Sequence, residues 1–86
     1  MTMTTVVLTA TAAREFDQLP WTIQARVLKL FERLQHWPSV SGARALRGKL
    51  AGRYRMRTGD YRLQFYLEGH RVVVERIGHR DGFYEE

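Results

Sequence analysis

Residues 52–67, GRYRMRTGDYRLQFYL, alternate apolar and polar side chains on both sides of a central Gly59-Asp60. Successive side chains of a strand point to opposite faces, so Tyr54 and Met56 share one face while Arg53, Arg55 and Arg57 share the other. Beyond the turn, Tyr61, Leu63, Phe65 and Leu67 form an apolar set, and Arg62, Gln64 and Tyr66 a polar one. A two-residue loop at Gly59-Asp60 suits glycine at its first position. It sets Arg57 opposite Arg62, Arg55 opposite Gln64 and Arg53 opposite Tyr66; on the other face Met56 meets Leu63 and Tyr54 meets Phe65. A slip of one residue would mix the two sets, so the pattern selects this register. The stretch dictates an amphipathic hairpin with one apolar face and one face of arginines. Like charges directly across a ladder repel, a penalty that a bound anion would offset.

Charge is concentrated around this hairpin. The 86-residue chain has 14 basic and 9 acidic side chains, a net charge of +5. Residues 1–43 hold four basic and three acidic groups, whereas residues 44–86 hold ten and six. Between Arg44 and Arg62 seven cations stand against the single Asp60. Twelve of the fourteen cations are arginine, with Lys29 and Lys49 as the two lysines. Arginine is suited to bidentate phosphate contacts and to stacking on bases, so the patch reads as a footprint for a polyanion, most often nucleic acid. An acidic protein partner is a compatible reading, and a solvated strand face the plain one. The length allows one domain, spanning 1–86, with one core. The absence of cysteine excludes disulfides and thiolate metal sites and agrees with a reducing compartment. No basic segment followed by an apolar run opens the chain, and no stretch near 18 apolar residues occurs. A soluble, cytoplasmic protein without a membrane partner is expected.

The β-branched run at residues 4–9 predicts a strand. Thr11 is expected to cap a helix starting at Ala12, with Ala12, Phe16 and Leu19 on its apolar side. Pro20 separates it from a second helix whose stripe, Ile23, Val27, Leu30, Leu34 and Trp37, follows spacings of four and three. That helix should end near His36, ahead of Pro38, and residues 38–45 read as a loop. Val72-Val73-Val74 begins a last strand, and the unbroken valines point to burial on both faces and hence an interior strand. The order is β-α-α-β-β-β. An α+β fold is expected: a small, mostly antiparallel sheet with two helices packed on its apolar face. The opposite face, with Arg55, Arg57 and Arg62, stays open to solvent or a partner, and Arg80 and Tyr84 follow the last strand toward the same region.

The combination Leu46-Arg47-Gly48, Tyr54-Arg55-Met56-Arg57, Gly59-Asp60-Tyr61-Arg62, then His79-Arg80 and Tyr84 resembles the RelE toxins of bacterial toxin–antitoxin systems, within the RelE/ParE superfamily. The resemblance covers almost the whole chain. It implies a toxin that cleaves mRNA in the ribosomal A site and is neutralised by a cognate antitoxin in a hetero-oligomer. The implied chemistry uses no metal or other cofactor: the ribose 2′-hydroxyl attacks the adjacent phosphate and the 5′-oxygen of the next nucleotide leaves. The family's basic residues fall at Arg55 and Arg57 on the first hairpin strand, at Arg62 on the second, and at Arg80 after the last strand; its C-terminal tyrosine falls at Tyr84. Well-studied members carry lysine where this chain has Arg55 and Arg57. Arginine holds phosphate well but is a poor proton acceptor, so proton transfer falls to Tyr84, to His79, or to a substrate or ribosomal group.

Arg57, Arg62, Arg80 and Tyr84 are thus the candidate catalytic residues. Arg57 and Arg62 would clamp the scissile phosphate, unless Asp60 or Glu75 pairs them. Arg55, Arg53, Lys49, Arg47 and His79 are candidate substrate contacts. Tyr84 could equally pack on the sheet, and Trp21 and Trp37 belong with the helices. His36 and His70 stand beside no ligand pattern, so no metal site is expected. Two other readings keep the fold: a ParE-like toxin directed at DNA gyrase, and a non-catalytic basic module that binds RNA or protein.

Overall fold

The computed structural model describes residues 3–83. The chain runs β1 (Thr5–Leu8), α1 (Ala10–Asp17), α2 (Trp21–Leu34), β2 (Arg44–Ala45), β3 (Arg53–Thr58), β4 (Tyr61–Glu68) and β5 (Arg71–His79), with 3-10 turns at Gly48–Leu50 and Arg80–Gly82. The five strands form one sheet in the order β1-β5-β4-β3-β2, with β1 parallel to β5 and the other neighbours antiparallel. The expected α+β architecture is therefore present, with one strand added. β2 spans only two residues, pairing Arg44 with Arg55 and Ala45 with Tyr54, inside a segment that reads as a loop. Two residues carry no detectable alternation.

The β3–β4 hairpin adopts the register that the alternation selects, down to Arg57 opposite Arg62. Gly59 opens its two-residue loop at φ +59, and no non-glycine residue among those described has positive φ. That is the glycine-first turn which matches the twist of the flanking strands. The β4–β5 connection repeats the device with Gly69 at φ +60 between the paired Glu68 and Arg71.

The apolar face of the hairpin forms the core. Met56, Leu63 and Phe65 are buried with Val72, Val74 and Ile77 of β5, Ala12 of α1, and Val27, Leu30 and Leu34 of α2. Phe65 is fully buried, stacked on Tyr54 at 5.3 Å and edge-on to Trp37 at 5.4 Å. Burying such a ring contributes about 2–3 kcal/mol. β5 lies between β1 and β4, the interior position expected of the valine run. α1 begins two residues earlier than expected. Thr9, not Thr11, is its N-cap: the Thr9 hydroxyl accepts from the Ala12 amide at 3.1 Å and donates to the Glu75 carbonyl at 3.3 Å. The tertiary partner decides between two threonines of equal capping propensity. α2 ends at Leu34, close to the expected His36, and Trp37 packs on Tyr54 at 4.9 Å. No helix among the described residues is long and apolar enough to cross a membrane.

One irregularity shapes the other face. The β4–β5 register shifts between Gln64 and Phe65, so that Gln64 pairs with Arg76 while Phe65 pairs with Val74. Glu75 is the extra residue of this bulge. The extra residue turns Ile77 back into the core, where it is 1% exposed, and leaves Glu75 and Arg76 both on the arginine face.

Candidate nucleic-acid interface

β2, β3 and β4 line up cations across the polar face. Arg44 pairs with Arg55 and Arg57 with Arg62, two rungs of like charge in neighbouring positions. An open cleft of about 930 Å³ lies against them. Six arginines, Arg33, Arg44, Arg47, Arg55, Arg57 and Arg62, contribute to its walls, along with Leu46, Leu50 and Met56. Arg33 reaches it from α2, where its guanidinium is tied to the carbonyl of Ser41. Arg57 is exposed and Arg62 half-buried. Among the described residues neither forms an ion pair: Glu75 is engaged by Arg53, and no ion pair there involves Asp60. The cross-strand pair thus keeps two unneutralised guanidiniums at the mouth of a concave, positively charged surface, which suits a phosphate.

Arg55 departs from expectation. It belongs to the same face but is 6% exposed rather than open to solvent. Its Nη2 donates to Gln64 Oε1 at 3.0 Å, and its guanidinium lies 5.4 Å from the centre of the Phe83 ring. Phe83 also receives Arg76, at 4.8 Å, and sits over Gly78, where an added Cβ would come within 3.4 Å of the ring. Phe83 is thereby laid onto the arginine face. Period two assigns Arg55 to its face but says nothing of a ring from twenty-eight residues downstream that covers it.

The remaining candidates divide. Arg47 lines the cleft, and Lys49 is exposed on the 3-10 turn that follows it. Arg53 is drawn away from the cleft: its Nε donates to Glu75 Oε2 at 3.0 Å, and its guanidinium covers Tyr66 at 5.3 Å. Arg80 lies beside the tip of the β3–β4 hairpin, where its backbone N–H donates to the Asp60 carbonyl at 2.7 Å. Its side chain is 59% exposed, 3.9 Å from Asp81 and outside the cleft wall. His79 faces a second, smaller groove of about 340 Å³ with Tyr61, Arg76 and Phe83. Its Nδ1 accepts from the Asp81 amide at 3.1 Å and caps the last 3-10 turn. Tyr84 lies outside the described residues. Arg33 and Arg44 join the site unannounced by the hairpin pattern. The excess of cations beyond Arg44 is the signal that could have found Arg44; nothing in the helical stripe marks Arg33.

Residues 6–82 match the family model described as the ParE toxin of type II toxin–antitoxin systems, parDE. The chain is 37% identical over 82 residues to Toxin RelE of Mycobacterium tuberculosis, covering 92% of this chain and 84% of that protein.

The chain belongs to the RelE/ParE superfamily of type II toxins.

Toxin RelG of the same organism is also 37% identical, over 83 residues, with 93% and 94% of the two chains covered. The structure of the RelBE2 toxin–antitoxin complex of M. tuberculosis superposes on this toxin with a TM-score of 0.81 at 36% identity, covering 93% of this chain and 94% of that one. The isolated RelE toxin of Escherichia coli shares the fold at a TM-score of 0.75 and 20% identity, covering 88% of this chain and 83% of its own. The resemblance to RelE toxins drawn from the hairpin and tail motifs therefore holds.

Proposed function

We propose that this toxin is an mRNA interferase: it cleaves mRNA, threaded into the ribosomal A site, by metal-free transesterification. The observation that carries this reading is the Arg57–Arg62 rung, free of ion pairs among the described residues, at a cleft walled by six arginines. The 2′-hydroxyl oxygen attacks the adjacent phosphorus, the bond to the 5′-oxygen breaks, and a 2′,3′-cyclic phosphate and a 5′-hydroxyl end result. Arg57 and Arg62 neutralise the charge that builds on the non-bridging oxygens of the pentacoordinate state. Arg55 fixes the phosphate from the floor of the cleft. Removing one such donor lowers the rate by about 10²–10³-fold. Arginine neither takes the 2′-hydroxyl proton nor gives one up, so the first role goes to Tyr84 or to a ribosomal group, while Arg80 at the hairpin tip offsets the charge on the leaving 5′-oxygen, which takes its proton from solvent water. A cognate antitoxin is the protein partner. The named complex of M. tuberculosis supports this, and an acidic segment over the cleft would block the rung.

The match to the ParE toxin model favours a second reading, in which the same fold acts on DNA gyrase. Induced expression separates the two. Growth arrest with mRNA cut inside translated frames supports the interferase; intact mRNA together with double-strand DNA breaks supports the gyrase reading and overturns the first.

A further inference from the structure

Gln64 is 7% exposed, in the middle of the arginine face. A buried carboxamide must find partners for both ends. Its Nε2 donates to Glu75 Oε2 at 2.8 Å, the same oxygen that accepts Arg53 Nε at 3.0 Å, and its Oε1 accepts Arg55 Nη2 at 3.0 Å. These three bonds have a direction. A carboxylate only accepts, so Gln64 must turn its NH2 toward Glu75; the carbonyl oxygen then necessarily faces Arg55, which only donates. Glu75 stands there because the bulge in β5 adds one residue to the polar face. Arg53, held on the same carboxylate and over Tyr66, leaves the cleft to Arg55.

Resting on the phosphate-clamp reading above, we propose that Gln64 is a positioning residue: oriented by Glu75, it holds the Arg55 guanidinium at the phosphate cleft. It touches no substrate and acts only through Arg55. Leucine at 64 keeps the bulk and removes the acceptor. Glu75→Gln keeps the shape and removes the charge that dictates which way the Gln64 amide turns.

The test is a double-mutant cycle on the purified full-length toxin. Affinity for a short, fluorescein-labelled single-stranded RNA of mixed sequence is measured for Arg55→Ala, Gln64→Leu and the two combined, with thermal melting to check folding. Arg55→Ala is expected to weaken binding about tenfold, and Gln64→Leu to reproduce most of that loss, the size of one charge-assisted hydrogen bond. The combined variant is expected to bind no more weakly than Arg55→Ala alone, because the two losses are one interaction. A residue with a merely structural role would give losses that multiply. Should Gln64→Leu fail to fold, Glu75→Gln takes its place: it is expected to weaken RNA binding in the wild-type background and to have no effect beside Arg55→Ala. Wild-type affinity in the Gln64 or Glu75 variants, or multiplying losses, overturns the inference while leaving the clamp standing. Wild-type affinity in Arg55→Ala removes Arg55 from the clamp, and the inference with it.

Discussion

Replacing Arg57 by glutamine should make this toxin more stable and less active at once. Arg57 faces Arg62 directly across the β3–β4 ladder, one rung from the Thr58–Tyr61 pair that closes the two-residue turn. In such a hairpin the closing pair is hydrogen-bonded, so the next is the close, non-hydrogen-bonded kind, which brings side chains nearest. Two guanidiniums about 7 Å apart in water repel by about 0.6 kcal/mol, within the range of about 0.2–1 kcal/mol for cross-strand charge pairs. No ion pair among the described residues offsets it. Glutamine keeps most of the length and removes the charge. The melting temperature should rise by about 2–5 °C for a domain of this size at low salt. The gain should vanish near 1 M salt, where the Debye length falls to about 3 Å. Arg62→Gln should give a similar gain, and the double variant no more than either, since one substitution already abolishes the repulsion. Calorimetric melts at low and high salt measure this, and RNA cleavage by the same preparations should fall about 10²-fold. A lower melting temperature in Arg57→Gln, or a gain indifferent to salt, would refute the account of an unneutralised rung.

Other substitutions probe the frame that presents the rung. Phe65→Ala removes a fully buried ring, stacked on Tyr54 and edge-on to Trp37, and should lower stability by about 3–5 kcal/mol in chemical denaturation. Thr9→Ala deletes both the α1 cap and the hydroxyl bond to Glu75, and should lower it by about 1–2 kcal/mol. Gly78→Val drives methyl groups into Phe83, already 3.4 Å from where a Cβ would stand, and should cost about 1–3 kcal/mol. Hydrogen exchange should then be faster at Phe83 and at the Arg80–Gly82 turn than in the parent.

The fold was legible where a local pattern had one physical solution. The hairpin register follows from a period of two and a glycine turn, and its observed pairs are the expected ones. The α2 stripe and the interior position of the valine strand follow equally from periodicity and burial. What escaped depends on contacts distant in sequence. Thr9 and Thr11 are equivalent as caps until Glu75 supplies a partner for one of them. The bulge at Glu75 leaves no mark on a strand that reads as a continuous valine run buried on both faces, yet it decides that Glu75 meets Gln64 and Arg53. Of the site, Arg57, Arg62 and Arg47 stand in the cleft, whereas Arg55 forms its buried floor under Phe83 and Arg53 is turned to Glu75. Arg80, on the turn that the hairpin tip holds, and His79, at the end of β5, lie outside its walls.

The central claim, that the Arg57–Arg62 rung cuts RNA, is tested most directly by cleavage on programmed ribosomes. Purified toxin, ribosomes with an empty A site and a defined mRNA are mixed, and the product ends are identified chemically. Wild-type toxin is expected to cut within the A-site codon, leaving 2′,3′-cyclic phosphate and 5′-hydroxyl ends, and Arg57→Ala and Arg62→Ala to slow this by about 10²-fold or more. Intact mRNA with the wild-type toxin, or cutting at wild-type rate by both variants, would contradict it.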